Sequence, residues 1–348
     1  MPNPKISINL VIYNGEKYIR QCLDAVFAQS YPHEFIELNI LDNNSADGTK
    51  NIINDSRSQV LDSRFSKFNF VQSKLNLGMW PGQEKLFEQS HGKYIIALSV
   101  DVVLDKDFIK NTVEIMEHDE KIGALQAKIY KYDFPYIQNT KYEILDTLGF
   151  KIFRSRRIIN IGHGEIDCGQ YDQKQEIFAV EGAVPIFRRQ ALEDCRLESQ
   201  GQRIVEPNFF WYGDDLDLAW RIRLFGWKQV YAPRVIAWHD RKTTKALAGG
   251  WREFIKIRKT VPMFKRRLDW RNTTLTVVKN DFTVNLLQDM PYFLWRQLQL
   301  WIYFILFEPA MILEIFKVAK LLPRMLKRRR EIMRKAKILP REFRQWII

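Results

Sequence analysis

The run Ile6-Ser7-Ile8-Asn9-Leu10-Val11-Ile12 gives way to the polar turn Tyr13-Asn14-Gly15. A short apolar run bounded by such a turn reads as a strand. The pattern returns at 35–41, ending in Asp42-Asn43-Asn44-Ser45, then at 68–71, and at 94–98, ending in Ser99-Val100-Asp101. Between and after these runs, residues 16–29, 47–56, 80–89 and 105–118 have helix-compatible spacing. Alternation of this kind predicts an α/β fold with a Rossmann-like, mostly parallel, doubly wound sheet. Such sheets bind ligands outside the carboxyl ends of their strands. The polar clusters at those exits are therefore the first candidate binding residues.

The chain has 348 residues, 46% of them hydrophobic, enough for a large core and against global disorder. Its three cysteines (Cys22, Cys168 and Cys195) lack metal-type spacing and read as reduced thiols. The first residues run straight into a strand pattern without a signal-like apolar stretch, so a cytoplasmic location is expected. The net charge of +13 is concentrated at one end: residues 251–348 hold 22 Lys and Arg against 8 Asp and Glu. Residues 1–250 are close to neutral, with 32 cations against 33 carboxylates. We read 1–245 as one catalytic body, with a ligand-binding half to about 120 and a second half over 121–245, followed by a basic helical region over 246–348.

That basic region suggests docking to an anionic surface, membrane or nucleic acid. Its longest apolar run, 300–307, is far short of the ~18–20 residues a spanning helix needs. Aromatics beside Arg324, Lys327, Arg328, Arg329, Arg330, Arg334, Lys335 and Lys337 suit a helix lying in a membrane interface. The plainer alternative is a helical subdomain with a solvated basic face.

The densest chemistry lies in Phe210-Trp211-Tyr212-Gly213-Asp214-Asp215-Leu216-Asp217-Leu218. Leu218, Ile222 and Phe225 then share a helical face, so the three carboxylates fall in a first helical turn, where the helix dipole favours their charged forms. One of them could act as a general base toward a hydroxyl, while Asp217 with Arg221 forms an i,i+4 pair of structural type. The alternative makes all three capping residues. Asp101 closes an apolar strand and His239 follows another, at Val235-Ile236-Ala237-Trp238. Carboxylate plus imidazole, completed by phosphate and water oxygens, suits Mg²⁺ or Mn²⁺.

Taken together, these segments resemble the inverting glycosyltransferases of family 2, which have the GT-A fold, and within them a rhamnosyltransferase-like branch. The resemblance runs from about residue 6 to 239. Val11-Ile12-Tyr13-Asn14-Gly15 is similar to the family's first strand and nucleotide-contacting turn, and Asp42-Asn43-Asn44-Ser45-Ala46-Asp47-Gly48-Thr49 to its D-N-x-S-x-D-G-T turn. Asn76-Leu77-Gly78 resembles the N-x-G ahead of the metal strand, and Ser99-Val100-Asp101 stands where the family has its metal signature. The block at 210–218 resembles F-x-Y-x-E-D-x-D-L, which places the base on Asp215. The resemblance implies donor contacts at Tyr13, Asn14, Asp42, Asn44, Asn76, Gly78 and Asp101. It implies a metal on Asp101 and His239, and catalysis at Asp215 with Asp214 and Asp217 beside it. Two departures stand out: Asp214 replaces Glu, and Ser99 replaces the first acidic or Asn position of the metal signature.

The expected function is transfer of one sugar from a nucleotide-diphosphate donor, with dTDP-rhamnose implied by the branch, to a glycan or lipid-linked acceptor in surface-polysaccharide synthesis. The expected setting is peripheral, at the inner face of the cell membrane, without nucleic acid as a partner. The rival readings are an inactive nucleotide-sugar-binding scaffold, a nucleic-acid-binding protein acting through its basic end, and a processive synthase. The last lacks its Gln-x-x-Arg-Trp signature here.

Overall fold

A computed structural model describes residues 3–56, 64–135, 143–241 and 251–348. The expected boundary at 245/246 lies outside them.

Strands β1 (Ile6–Ile12), β2 (Ile36–Asp42), β3 (Lys67–Gln72) and β4 (Tyr94–Ser99) form a parallel block in the order β3-β2-β1-β4. Helices α1 (Ile19–Phe27), α2 (Thr49–Asp55) and α3 (Met79–Phe87) make its crossovers. Strand alternation decides which side each residue faces. Ile6, Ile8, Leu10 and Ile12 pack with Ile19, Leu23 and Val26 of α1 in one buried cluster. Ser7 and Asn9 on the opposite side are also fully buried, so each must find partners. Asn39 Nδ2 and Ser90 Oγ donate to Asn9 Oδ1 at 3.0 and 2.9 Å.

Beyond β4 the sheet becomes mixed. The order continues through β11 (Ile186–Arg188), β6 (Ile122–Lys131), β12 (Lys228–His239) and β10 (Gln175–Glu176). Strand β11 is antiparallel to both β4 and β6, while β6 and β12 are parallel. Short strands β5 (Val102–Leu104) and β7 (Leu145–Thr147) complete the 10-stranded sheet, on β12 and β6. The pair β8 (Phe150–Ile152) and β9 (Ile158–Asn160) stands apart. Helix α4 (Phe108–His118) joins the α1 side, and α5 (Arg189–Asp194) and α6 (Asp214–Leu224) pack on the other. The expected α/β, doubly wound architecture is present, with its parallel character concentrated in the first hundred residues.

The basic region is helical: α7 (Trp251–Thr260), α8 (Met263–Asn280), α9 (Thr283–Gln288), α10 (Met290–Phe307), α11 (Leu313–Lys335) and α12 (Pro340–Arg344). Its end returns to the body. Phe343 stacks on Trp220 with ring centroids 5.6 Å apart, and Ile348 N–H donates to Ile152 O at 3.0 Å. No described helix is long and apolar enough to cross a membrane.

Candidate active site

Strand register assembles the first wall. Ile12 pairs with Asp42 and Val11 with Ser99, so β1, β2 and β4 end along one edge. The turns beyond them are tied together. Asn14 N–H donates to Ser45 Oγ at 2.9 Å, and Asn14 Oδ1 accepts from Ala46 N–H at 2.9 Å. Asp42 Oδ1 accepts from Ser45 N–H at 3.0 Å. Asn43 Nδ2 donates to Asn76 Oδ1 and to Gly78 O, both at 3.0 Å, which draws in the 76–78 turn. Asn14 and Asn44 hold φ of 51° and 69°, left-handed values that asparagine tolerates. Gly78, at φ 93°, lies so close to the Phe210 carbonyl that a Cβ would collide with it. The turn wall thereby touches the loop that leads to the carboxylates. Tyr13 is about half exposed at its edge.

The second wall comes from β12. Its antiparallel pairing with β5 sets His239 opposite Val102, beside Asp101. His239 Nε2 lies 3.4 Å from Asp101 Oδ2. The opposite ring nitrogen, Nδ1, is 2.9 Å from the fully buried Asp146, which also accepts from Arg241 Nε at 2.6 Å. Arg241 reaches on to Glu181 at 2.9 Å. A buried carboxylate on one ring nitrogen fixes the imidazole's orientation and leaves the other free to act. Burial disfavours the protonated ring of His239, but Asp101 and Asp146 together outweigh it and lift the imidazole to about 10. Burial likewise disfavours charged Asp101, and His239 reverses that, holding the carboxyl below its usual range.

This pair would suit a divalent ion that takes the place of the proton on Nε2. Two cis ligands of an octahedral ion at about 2.1 Å stand about 3 Å apart, close to the separation found here. The Asp101 side chain is 32% exposed, which leaves room for further ligands. Among the described residues no cluster of three or more His, Cys, Asp or Glu forms a closed cage. The remaining positions would belong to water and to ligand oxygens.

The third wall is α6. Gly213, at φ 78°, breaks the chain into the helix, and Asp214, Asp215 and Asp217 fall in its first turn as expected. The three then part company. Asp214 is buried, and burial followed by the neighbouring Asp215 charge pushes its carboxyl well above the usual range. Asp217 is sealed, with Lys279 at 2.8 Å, Arg221 at 3.1 Å and Asn280 at 2.8 Å. Burial opposes its charge, but Lys279 and then Arg221 prevail and hold it ionised. Its carboxylate is fully buried among these partners. Asp215 alone keeps an accessible side, its Oδ2 accepting from Gly182 N–H at 3.2 Å. Gly182 adjoins Glu181, so one continuous chain of contacts joins His239, Asp146, Arg241, Glu181, Gly182 and Asp215.

The sheet order and the crevice at its strand ends define a GT-A-type α/β fold. Residues 7–192 match the Glycosyl transferase family 2 profile, more than half of the chain, and the protein belongs to that family. It is 24% identical over 258 residues to the poly-beta-1,6-N-acetyl-D-glucosamine synthase of Staphylococcus epidermidis, covering 72% of this chain and 53% of that protein. The Staphylococcus aureus (strain COL) synthase of the same name is 23% identical over 257 residues, with the same coverage. The chain thus spans about half the length of these curated relatives. S. aureus TarS 1-349 in complex with UDP-GlcNAc aligns over 99% of this chain and 92% of its own, with TM-score 0.54 and 14% identity. GalNAc-T7 with UDP, GalNAc and Mn²⁺ aligns over 79% of this chain and 48% of its own, with TM-score 0.57 and 13% identity.

Proposed function

We propose that this chain transfers a sugar from a nucleotide-diphosphate donor to a hydroxyl of a glycan or lipid-linked acceptor, with inversion at the anomeric carbon. The observation carrying this reading is the single chain of contacts that joins the Asp101–His239 pair to the accessible carboxylate of Asp215. Tyr13, Asn14, Asp42, Asn44, Asn76 and Gly78 hold the nucleoside end at the tied strand exits. Asp101 and His239 would hold Mg²⁺ or Mn²⁺, which would supply positive charge against the departing diphosphate. Asp215 takes the proton of the acceptor hydroxyl as its oxygen bonds to the anomeric carbon and the bond to the diphosphate oxygen breaks.

UDP-N-acetylhexosamines are the first donors to try, because the relatives and the TarS complex carry GlcNAc in their names. dTDP-rhamnose, implied by the sequence motifs alone, comes second. The test is binding and transfer across this panel with Mn²⁺, with Mg²⁺ and with EDTA. Metal-dependent use of one donor is expected; metal-independent binding of all donors alike would contradict the reading. A second reading, repeated transfer into a polymer, is favoured by the synthase names of the curated relatives. Product length separates it from single transfer.

The setting we propose is peripheral, on the cytoplasmic face of an anionic membrane, without nucleic acid. On α10, Leu294, Trp295, Leu298, Ile302, Ile305 and Leu306 are exposed at i,i+3 and i,i+4 spacing. The exposed face of α11 begins with Leu313 and Phe316 and continues with Lys320, Arg324, Lys327, Arg330 and Arg334. Every carboxylate from 289 to 335 (Asp289, Glu308, Glu314 and Glu331) is buried. An apolar end running into cations, with no exposed acid, matches an anionic lipid surface and repels a second copy of itself.

A further inference from the structure

Helix α8 carries Lys265, Asn272 and Lys279 at intervals of seven, about two helical turns, so they share one stripe. Each touches the segment that holds the acidic helix start. Lys279 reaches Glu206 at 3.0 Å and Asp217 at 2.8 Å. Asn272 donates to the carbonyls of Trp211 at 3.0 Å and Tyr212 at 2.7 Å. Lys265 Nζ sits 4.4 Å from the Trp211 ring centroid and 5.9 Å from that of Tyr212. The first two are fully used by these contacts. Lys265 differs.

Its neighbours in the run Lys265-Arg266-Arg267 are neutralised by buried acids, Arg266 by Glu308 and Arg267 by Glu314 at 2.7 Å. Lys265 lies on the other side, partly buried, with no carboxylate in ion-pair range among the described residues. Aromatic faces attract an ammonium but do not replace a counter-ion. Partial burial weakens its hold on the proton, and Asp101 lies near enough to pull the other way. The ammonium thus stands against the aromatic loop before Asp214, partly desolvated and without a carboxylate counter-ion among the described residues.

We propose that Lys265 is a phosphate-binding residue of the active site, its ammonium pairing with the diphosphate of the donor and of the departing nucleotide. The inference rests on the donor chemistry proposed above and adds a wall from the C-terminal region to the site. Calorimetric titration with UDP, GDP and dTDP in Mn²⁺, with UMP, GMP and dTMP as controls, tests it on the full chain. Wild type should bind one diphosphate more tightly than its monophosphate. Lys265→Gln should weaken that diphosphate about 10- to 100-fold, spare the monophosphate, and melt like wild type, while Lys265→Arg should restore most of the loss. Unchanged diphosphate affinity in Lys265→Gln overturns the assignment. So does unchanged nucleotide affinity with a raised acceptor KM, which would place the phosphate on the acceptor instead. Wild type that binds no nucleotide would overturn the donor reading itself, and this inference with it.

Discussion

Asp146 stands behind His239 as a buried carboxylate that orients a ring nitrogen, a role its sequence context does not announce. Asp101 and His239 were legible because each closes an apolar run, and an ionisable residue there projects into the strand-end crevice. Asp146, Glu181 and Arg241 carry no such mark; contacts made 60 to 95 residues apart bring them together. In sequence the i,i+4 partner Arg221 already set Asp217 apart from the other two carboxylates of α6, and burial with Lys279 completes the separation. The residue-level account predicts that Asp146→Asn weakens Mn²⁺-dependent nucleotide binding about 10- to 100-fold. Manganese titration monitored by nucleotide affinity reads this directly. An unaltered titration would mean that Asp146 does not orient the imidazole.

At the scale of elements, four strands and their helices followed from apolar runs and turn residues, with ends shifted by a few positions. Strand β11 did not follow so cleanly: Gly182 and Pro185 break the apolar run over 178–187, and only Ile186–Arg188 pairs in the sheet. Helix α8 falls in the region read as helical, but its grip on α6 was not legible, because Lys279 and Asn280 look like ordinary polar residues until Asp217 is placed opposite them. The same ammonium also meets Glu206, which Arg328 from α11 joins. Lys279→Met would leave two buried carboxylates under-compensated, a loss of about 3–5 kcal/mol at neutral pH. Asp217 and Glu206 both have folded values held below normal by their cationic partners, against burial. The stability they contribute is present above their unfolded range, about pH 4, and is lost as pH falls through the folded values. Denaturant unfolding should therefore show the gap between wild type and Lys279→Met at neutral pH and see it narrow in acid. A constant gap would place the contribution of Lys279 elsewhere.

For the whole molecule, the uneven charge was visible in the sequence, and so was the absence, among the described residues, of a helix long and apolar enough to cross a membrane. The return of the basic end to the body was not, because Phe343 meets Trp220 and Phe178 across more than a hundred residues of chain. That return leaves the apolar side of α10 and the basic side of α11 facing outward on a molecule whose other walls form the crevice. The account predicts co-sedimentation with vesicles of phosphatidylcholine and phosphatidylserine, and much weaker binding to phosphatidylcholine alone. Replacing Trp295 and Phe316 with Glu should abolish binding while leaving donor affinity in solution unchanged. Equal binding of that variant would move the docking surface off this face.

The central claim is a division of labour between the Asp101–His239 pair and Asp215. It is tested most directly by measuring Mn²⁺-dependent donor binding and sugar transfer side by side in Asp215→Asn and Asp101→Asn. The account predicts that Asp215→Asn keeps donor affinity and loses transfer by about 10²- to 10⁴-fold, the range of general-base catalysis. Asp101→Asn should lose both. Transfer by Asp215→Asn at the wild-type rate would contradict the account.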